Sequence, residues 1–338
     1  MPGRILNRNV GGNTTYAAAL ADGLGRRGVT VDTLRCFSHP ALTMMSETIS
    51  GLKRADGQII HYVADTGPLV RTRTSSVVTV HGVASRWITG VRTANQERIW
   101  RNRVRRAIDS TDALITVSSS SAADIADIFD IAMDKISVIP HGIDLNKFSR
   151  KTTVSDSVQS KIPENYLLYI GNIEPRKNIE ELVKAMAHPS IRALRLPLVI
   201  AGKPAWNYDK SMAAITTSPD VIYLGFVSDA DRTALMQQCK LFIFPSRYEG
   251  FGFPVLEAMA AGAPVLTTDR GALRDISGPS KVLDGCDSEA IADGIEDALI
   301  DDDWRMVVVQ DGRQWSSSYT WDASLDAHIS VYNAVGRK

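Results

Sequence analysis

Short apolar runs rich in β-branched residues alternate with segments of helical period along the whole chain, and the pattern runs through twice. The first half offers strands at "RIL", "VTVDTLR", "QIIHYV", "VVTVHG", "ALITVS" and "KISVIP". The second half offers "YLLYIG", "LPLVIAG", "VIYLGF", "LFIFPS", "PVLTT" and "KVLD". Between them lie helical patterns such as "TTYAAALADGLGRRG" and "SSAADIADIFD", the latter with Ala122, Ile125, Ala126 and Phe129 on one face behind serine caps. Strands that are apolar almost throughout suit a parallel sheet covered by helices on both faces. The alternation therefore predicts doubly wound α/β domains.

The 338 residues suit two such domains of about 150 each. Strand signals vanish and polarity rises in "NKFSRKTTVSDSVQSKIPEN", which reads as a linker. The expected organisation is a first domain over 1–145, a linker over 146–165 and a second domain over 166–321. A final amphipathic helix, 322–338, would cross back onto the first domain. Lys plus Arg and Asp plus Glu balance at 38 each, so no global field draws the chain to nucleic acid. Cys36, Cys239 and Cys286 lie far apart without metal-ligand spacing and read as reduced thiols. No signal-like apolar start and no run of about 18 apolar residues is present, so a cytoplasmic protein is expected.

In open α/β sheets, ligands bind beyond the carboxyl ends of the strands, so the residues just after each strand matter most. "NVGGNTTY" places Gly11 and Gly12 at the start of a helix, where free amides and the dipole suit a phosphate; a plain tight turn fits as well. His81 leaves "VVTVHG" at a strand exit, as a ligand for a hydroxyl or as a structural imidazole. In "YIGNIEPRKNIEELVKAM", Arg176 and Lys177 precede a helix beginning near Asn178. Two cations at a helix start suit a diphosphate, unless Glu174, Glu180 and Glu181 already compensate them. In "PSRYEGFGFPVLEAMAAGAPV", Gly250 and Gly252 allow close main-chain approach and Pro254 suits a first helical turn. Glu257 would lie in that same turn, near the mouth that Glu249 enters. Ionised carboxylates there accept hydrogen bonds from vicinal hydroxyls, or else act as a first-turn acid and a surface residue.

"EGFGFPVLE", an E-x7-E signature, resembles the GT-B, retaining glycosyltransferases of family 4. "GGNTTYAAALADGLGRRGVTVD", "VVTVHG", "VIPHGID", "YIGNIEPRKNIEELVKA", "LVIAGK", "LGFVSD" and "AMAAGAPVLTTD" follow in the family's order and cover nearly the whole chain. The resemblance implies two Rossmann-like domains facing each other across a cleft, with a nucleotide-diphosphate sugar held mainly by the second and an acceptor mainly by the first. It implies Glu249 on the C3 and C4 hydroxyls of the donor sugar, and the amides of Gly250, Phe251, Gly252 and Phe253 on sugar and phosphates. It further implies Glu257 on the ribose, Lys177 on the diphosphate, the backbone at Val227 on the base, Gly12 near the diphosphate and His81 by the transferred sugar. Many members carry Gly-Arg-Leu where this chain has Gly171, Asn172 and Ile173, and Arg176 is the replacement for that arginine. Asp275 stands where the family has a glutamate, and no role is assigned to it.

Retention with Glu249 on the far side of the ring implies a front-face mechanism, with the diphosphate leaving against Arg176, Lys177 and helix amides. No metal or other cofactor is expected; the acidic runs at 229–231 and 301–303 read as helix caps. "IEPRKNIEEL" resembles the form in mannosyl- and rhamnosyltransferases, which makes GDP-mannose the expected donor, with UDP-linked hexoses open. The acceptor class is a glycan or a lipid-linked molecule. Ser85 to Ser110 is rich in arginine, with Trp100, Val104, Ala107 and Ile108 on one helical face. It reads either as a contact with anionic membrane at the inner face or as a core helix with a basic back. The competing functions are another nucleotide-sugar enzyme, such as an epimerase, and a non-catalytic nucleotide-sugar-binding partner.

Overall fold

The computed structural model describes residues 1–7 and 11–336. The chain divides into two compact units, Met1–Gly142 with Tyr319–Lys338, and Ile143–Ser318.

In the first unit β1 (Ile59–Tyr62), β2 (Ser75–Thr79), β3 (Ala113–Thr116) and β4 (Ile136–Val138) form a parallel sheet in chain order. Alternation along the strands sends Val78 and Leu114 into one apolar cluster, with Val104, Ile125 and Phe129 of the covering helices. Val77 and Ile115 enter another cluster, with Val335 of the terminal helix Trp321–Gly336. Both faces are therefore covered, as apolar parallel strands require. The arginine-rich helix Ala94–Ser110 buries Val104 and Ala107 and packs Trp100 against the same core, so the face expected to meet a membrane is its inner face.

Two predicted strands are not formed. The Pro2 carbonyl accepts from the Ile5 amide at 3.1 Å, curling Gly3–Leu6 into one helical turn. In place of the strands read at "RIL" and "VTVDTLR", a single isolated bridge joins Pro2 and Leu34. Asn9 and Val10 of "NVGG" lie outside the described residues.

In the second unit β5 (Leu167–Ile170), β6 (Leu198–Ala201), β7 (Val221–Gly225), β8 (Leu241–Phe244), β9 (Val265–Thr267) and β10 (Lys281–Val282) form a parallel sheet in the order β10-β9-β8-β5-β6-β7. Every residue of β5, β6 and β8 is buried. The order reverses between β5 and β8, which is where an open sheet of this kind binds ligands.

The tract read as a linker folds with the second unit. It holds short helices at Leu145–Ser149 and Asp156–Gln159, and buries Phe148, Val154, Val158 and Ile162. Gln237 Nε2 donates to the Phe148 carbonyl at 2.7 Å and Asp231 Oδ1 accepts from the Ser155 amide at 2.8 Å. A few spaced apolar residues anchor a stretch whose average composition is that of a linker.

Candidate active site

β5 ends at Ile170, and the chain turns through Gly171 to a single 3₁₀ turn, Pro175–Lys177. Asn178 then adopts a left-handed conformation (φ 60°) and helix Ile179–Met186 begins. This kink turns Arg176 and Lys177 away from the helix and towards the loop after β8. There Glu249 receives Lys177 Nζ on Oε1 at 2.6 Å and Arg176 Nη1 on Oε2 at 2.5 Å. Arg176 Nε also meets Glu174 Oε1 at 2.6 Å, and Nη1 donates to the Tyr248 carbonyl at 2.9 Å. Ser246 Oγ donates to Glu249 Oε1 at 2.6 Å.

Glu174, Lys177 and Glu249 are buried, so this is an almost dry quartet of two cations and two carboxylates. Burial alone would raise the Glu249 pKa. Arg176, Lys177 and the bond from Ser246 overcome that and lower it to about 2. Burial and the neighbouring Arg176 push the Lys177 ammonium down, while Glu249 and Glu174 resist its loss of the proton. Glu249 is thus a fixed anion, and the two cations are already engaged. The compensation for Arg176 comes from Glu174, as one reading of the sequence allowed; Glu180 instead accepts from Ser211, and Glu181 pairs with Lys184.

Gly252 caps helix Phe253–Ala261 at φ 103°, and a Cβ there would lie 2.8 Å from Leu273 Cδ2. The position demands glycine and brings main chain to the helix start, with Phe251 and Phe253 edge to face at 5.1 Å. Because the helix starts at Phe253, Glu257 falls in its second turn, not the first, where the dipole contributes less. What holds Glu257 is an ion pair with Arg232, on the helix Asp229–Gln238. Arg232 was not read from the sequence; an arginine one turn into a helix at a strand exit is the signal that points to it. Ser246, a small polar residue two positions past the end of β8, was missed too. Val227 follows β7 beside Phe226, an exposed ring with Lys203 Nζ 4.0 Å above it. Of the two acidic runs only 301–303 supplies a cap, Asp301 accepting from the Trp304 amide; Asp229 and Asp231 lie within the first turn of helix Asp229–Gln238, whose cap is Ser228, accepting from the Asp231 amide.

Gly12 and His81 belong to the first unit. Gly12 opens helix Gly12–Arg26, whose first bonds run to the Gly11 carbonyl. His81 follows β2, with its amide held by Asp65 Oδ1 at 2.8 Å. Its Nε2 lies 2.9 Å from the Val63 carbonyl, which only accepts, so Nε2 donates there. Tyr16, one turn along the helix that Gly12 starts, sets its ring edge-on 5.2 Å from His81, which joins these two predicted residues.

The fold is that of the GT-B glycosyltransferases. Residues 42–147 match the model described as Glycosyltransferase Family 4, and residues 151–315 that of Glycosyl transferases group 1; the chain belongs to glycosyltransferase family 4. It is similar to O-antigen chain mannosyltransferase B of Escherichia coli, 29% identical over 268 residues, covering 77% of this chain and 70% of that protein. It is also similar to serotype-specific mannosyltransferase WbdA of Escherichia coli, 30% identical over 235 residues, which are 66% of this chain but 28% of that protein. Sucrose-phosphate synthase from Thermosynechococcus elongatus shares the fold at a TM-score of 0.75, covering 96% of this chain and 94% of that one at 19% identity.

Proposed function

We propose that this glycosyltransferase moves a mannosyl residue from GDP-mannose to a glycan or lipid-linked acceptor, with retention and without a metal. The observation that carries the reading is the Arg176–Glu249–Lys177 cluster at the point where the strand order reverses. The mannosyltransferase names of relatives near 30% identity support the sugar, and "IEPRKNIEEL" supports the GDP donor.

The chemistry follows from charge. Arg176 and Lys177 are compensated by Glu174 and Glu249 before any donor arrives, so an incoming diphosphate changes their partners and does not fill an empty positive site. The cations turn to the phosphate oxygens, and Glu249, relieved of them, accepts hydrogen bonds from two sugar hydroxyls. The amides at the start of helix Phe253–Ala261 add their dipole on the same phosphates. Glu257 takes the ribose hydroxyls, the main chain at Val227 the base, and Gly12 lets its backbone approach the diphosphate. His81, with Nε2 engaged by the Val63 carbonyl, turns Nδ1 to a hydroxyl of the transferred sugar.

In the transfer itself the bond from the anomeric carbon to the phosphate oxygen breaks. The acceptor oxygen bonds that carbon from the same face, and its proton goes to the departing diphosphate. Two cations and helix amides supply the positive charge that a metal would otherwise bring. Incubation of the protein with GDP-mannose and candidate acceptors, followed by product analysis, tests this reading. An α-linked mannosylated product from this α-linked donor supports it; product of the inverted configuration, or transfer only from UDP-sugars, contradicts it.

A further inference from the structure

One helix of the first unit is mounted inside out. Pro40–Leu52 buries Thr43, Glu47 and Gly51, and carries Leu42, Met45, Ile49 and Leu52 on its outer side, 50%, 53%, 52% and 39% exposed. Their spacing of three, four and three residues makes a single stripe. The inward carboxylate is held deliberately: Glu47 Oε1 meets Arg4 Nε at 2.7 Å, and its carbonyl accepts from Tyr62 at 3.0 Å. Burying a charge while exposing four large apolar side chains is the reverse of what water alone selects.

The surroundings of the stripe are cationic. The chain before the helix is tied alongside it, with Ser46 Oγ donating to the Arg35 carbonyl at 3.0 Å and Thr43 Oγ1 to the Phe37 carbonyl at 2.9 Å. This places the exposed ring of Phe37, with the Arg35 guanidinium 5.1 Å from its centre, next to the first turn. Lys53 and Arg54, both exposed, follow the last turn. Between Thr33 and Ala55 the only acid is the buried Glu47. Exposed acids flank this stretch at Asp32 and Asp56; Asp56 reaches Arg54 at 3.6 Å with both side chains almost wholly in water, where the pair is weak. A second copy of the chain laid on this stripe would bring cations to cations, because the patch offers them no acid. At 13 residues the helix is too short to span a bilayer. An apolar stripe bounded by cations fits a surface that is apolar beneath and anionic above.

We infer that helix Pro40–Leu52 seats the first unit on an anionic phospholipid surface, with Leu42, Met45, Ile49 and Leu52 among the acyl chains and Arg35, Lys53 and Arg54 at the headgroups. This moves the membrane contact from the arginine-rich segment 85–110 to helix Pro40–Leu52, and it holds whatever the donor and acceptor.

The test is sedimentation of the full chain with vesicles of phosphatidylcholine alone and of phosphatidylcholine mixed with phosphatidylglycerol, at low and high salt. The protein is expected to pellet with the anionic vesicles and to be released by salt. Met45→Glu with Ile49→Glu alters only exposed positions and should lower the partition roughly tenfold or more. The milder pair Met45→Ser with Ile49→Ser should weaken it in the same direction with an unchanged melting curve. Three results overturn the inference: no pelleting with either vesicle, pelleting of both double variants equal to the parent, or a parent that sediments as a dimer which Met45→Glu with Ile49→Glu turns into a monomer.

Discussion

Lys177 Nζ and Glu249 Oε1 lie 2.6 Å apart, both side chains buried, on the loops that leave β5 and β8. Arg176 closes on the other oxygen of the same carboxylate. Glu249 therefore has a structural role besides the one proposed on the sugar. Removing it leaves the buried Lys177 and the partly exposed Arg176 facing only Glu174, and breaking a buried pair such as Lys177–Glu249 costs about 3–5 kcal/mol. Glu249→Ala is expected to lower the denaturant midpoint of the second unit as well as to abolish transfer. GDP should raise the melting temperature of this variant more than that of the parent, because the diphosphate supplies the missing negative charge. Equal unfolding midpoints for variant and parent would sink the buried-quartet account.

The two cations should separate from Glu249 in a binding titration. Lys177→Met removes a charge-assisted contact to the diphosphate, and a loss of about tenfold to a hundredfold in GDP affinity is expected. Guanosine, which has no phosphate, should show no comparable change. Calorimetry with both ligands decides it.

Glu257 is proposed to hold the ribose while paired with Arg232. The parent should then prefer GDP to 2′-deoxy-GDP, and Glu257→Gln should erase most of that preference. The expected change is about tenfold for one charge-assisted hydrogen bond. Retained preference in the variant assigns Glu257 to structure alone.

Acid should act on the first unit before it acts on the quartet. Tyr16 donates to His328 Nε2 at 2.7 Å, because His328 Nδ1–H is given to the Ser324 carbonyl at 2.7 Å. Burial lowers the His328 pKa from 6.5 to about 4, and it lowers His61 and His141 well below that ordinary value. A histidine depressed on folding destabilises the fold as pH drops, starting at its unfolded pKa and levelling off at its folded one. Stability of the first unit should thus fall between pH 6.5 and about 4. Glu249 behaves differently: its contribution is full above the ordinary carboxylate value of 4.5 and fades as pH approaches about 2. Thermal unfolding followed across this range should show an early transition moving down first. His328→Gln, which keeps a polar group without the titration, should flatten that pH dependence.

The corner at Gly252 is tested by Gly252→Ala. The left-handed conformation and the approach of Leu273 and Ile276 oppose any side chain there, at about 1–3 kcal/mol of strain. An unchanged unfolding midpoint would contradict the geometry drawn for the start of helix Phe253–Ala261.

Much of this was open to reading in the residues themselves. The second sheet announces itself because β5, β6 and β8 are buried on both faces and so are apolar at every residue. Arg176, Lys177, Glu249 and Glu257 were visible because glycine, proline and charge coincide at strand exits. That Arg176 and Lys177 turn onto Glu249 was not visible, since it depends on the left-handed Asn178 and on two strands far apart in sequence lying side by side. The first strands failed for a local reason: β propensity in "RIL" loses to the turn begun at Pro2. The reversed helix Pro40–Leu52 was equally hidden, because periodicity marks an apolar face without saying whether it points inward.

The central claim is that the Arg176–Glu249–Lys177 cluster binds a nucleotide-diphosphate sugar by exchange of ion partners. Calorimetric titration of GDP-mannose into the parent and into Arg176→Gln with Lys177→Met tests it most directly. Saturable binding by the parent, lost in the double variant while its fold persists, is the predicted result. Binding of equal strength in both proteins would contradict the account.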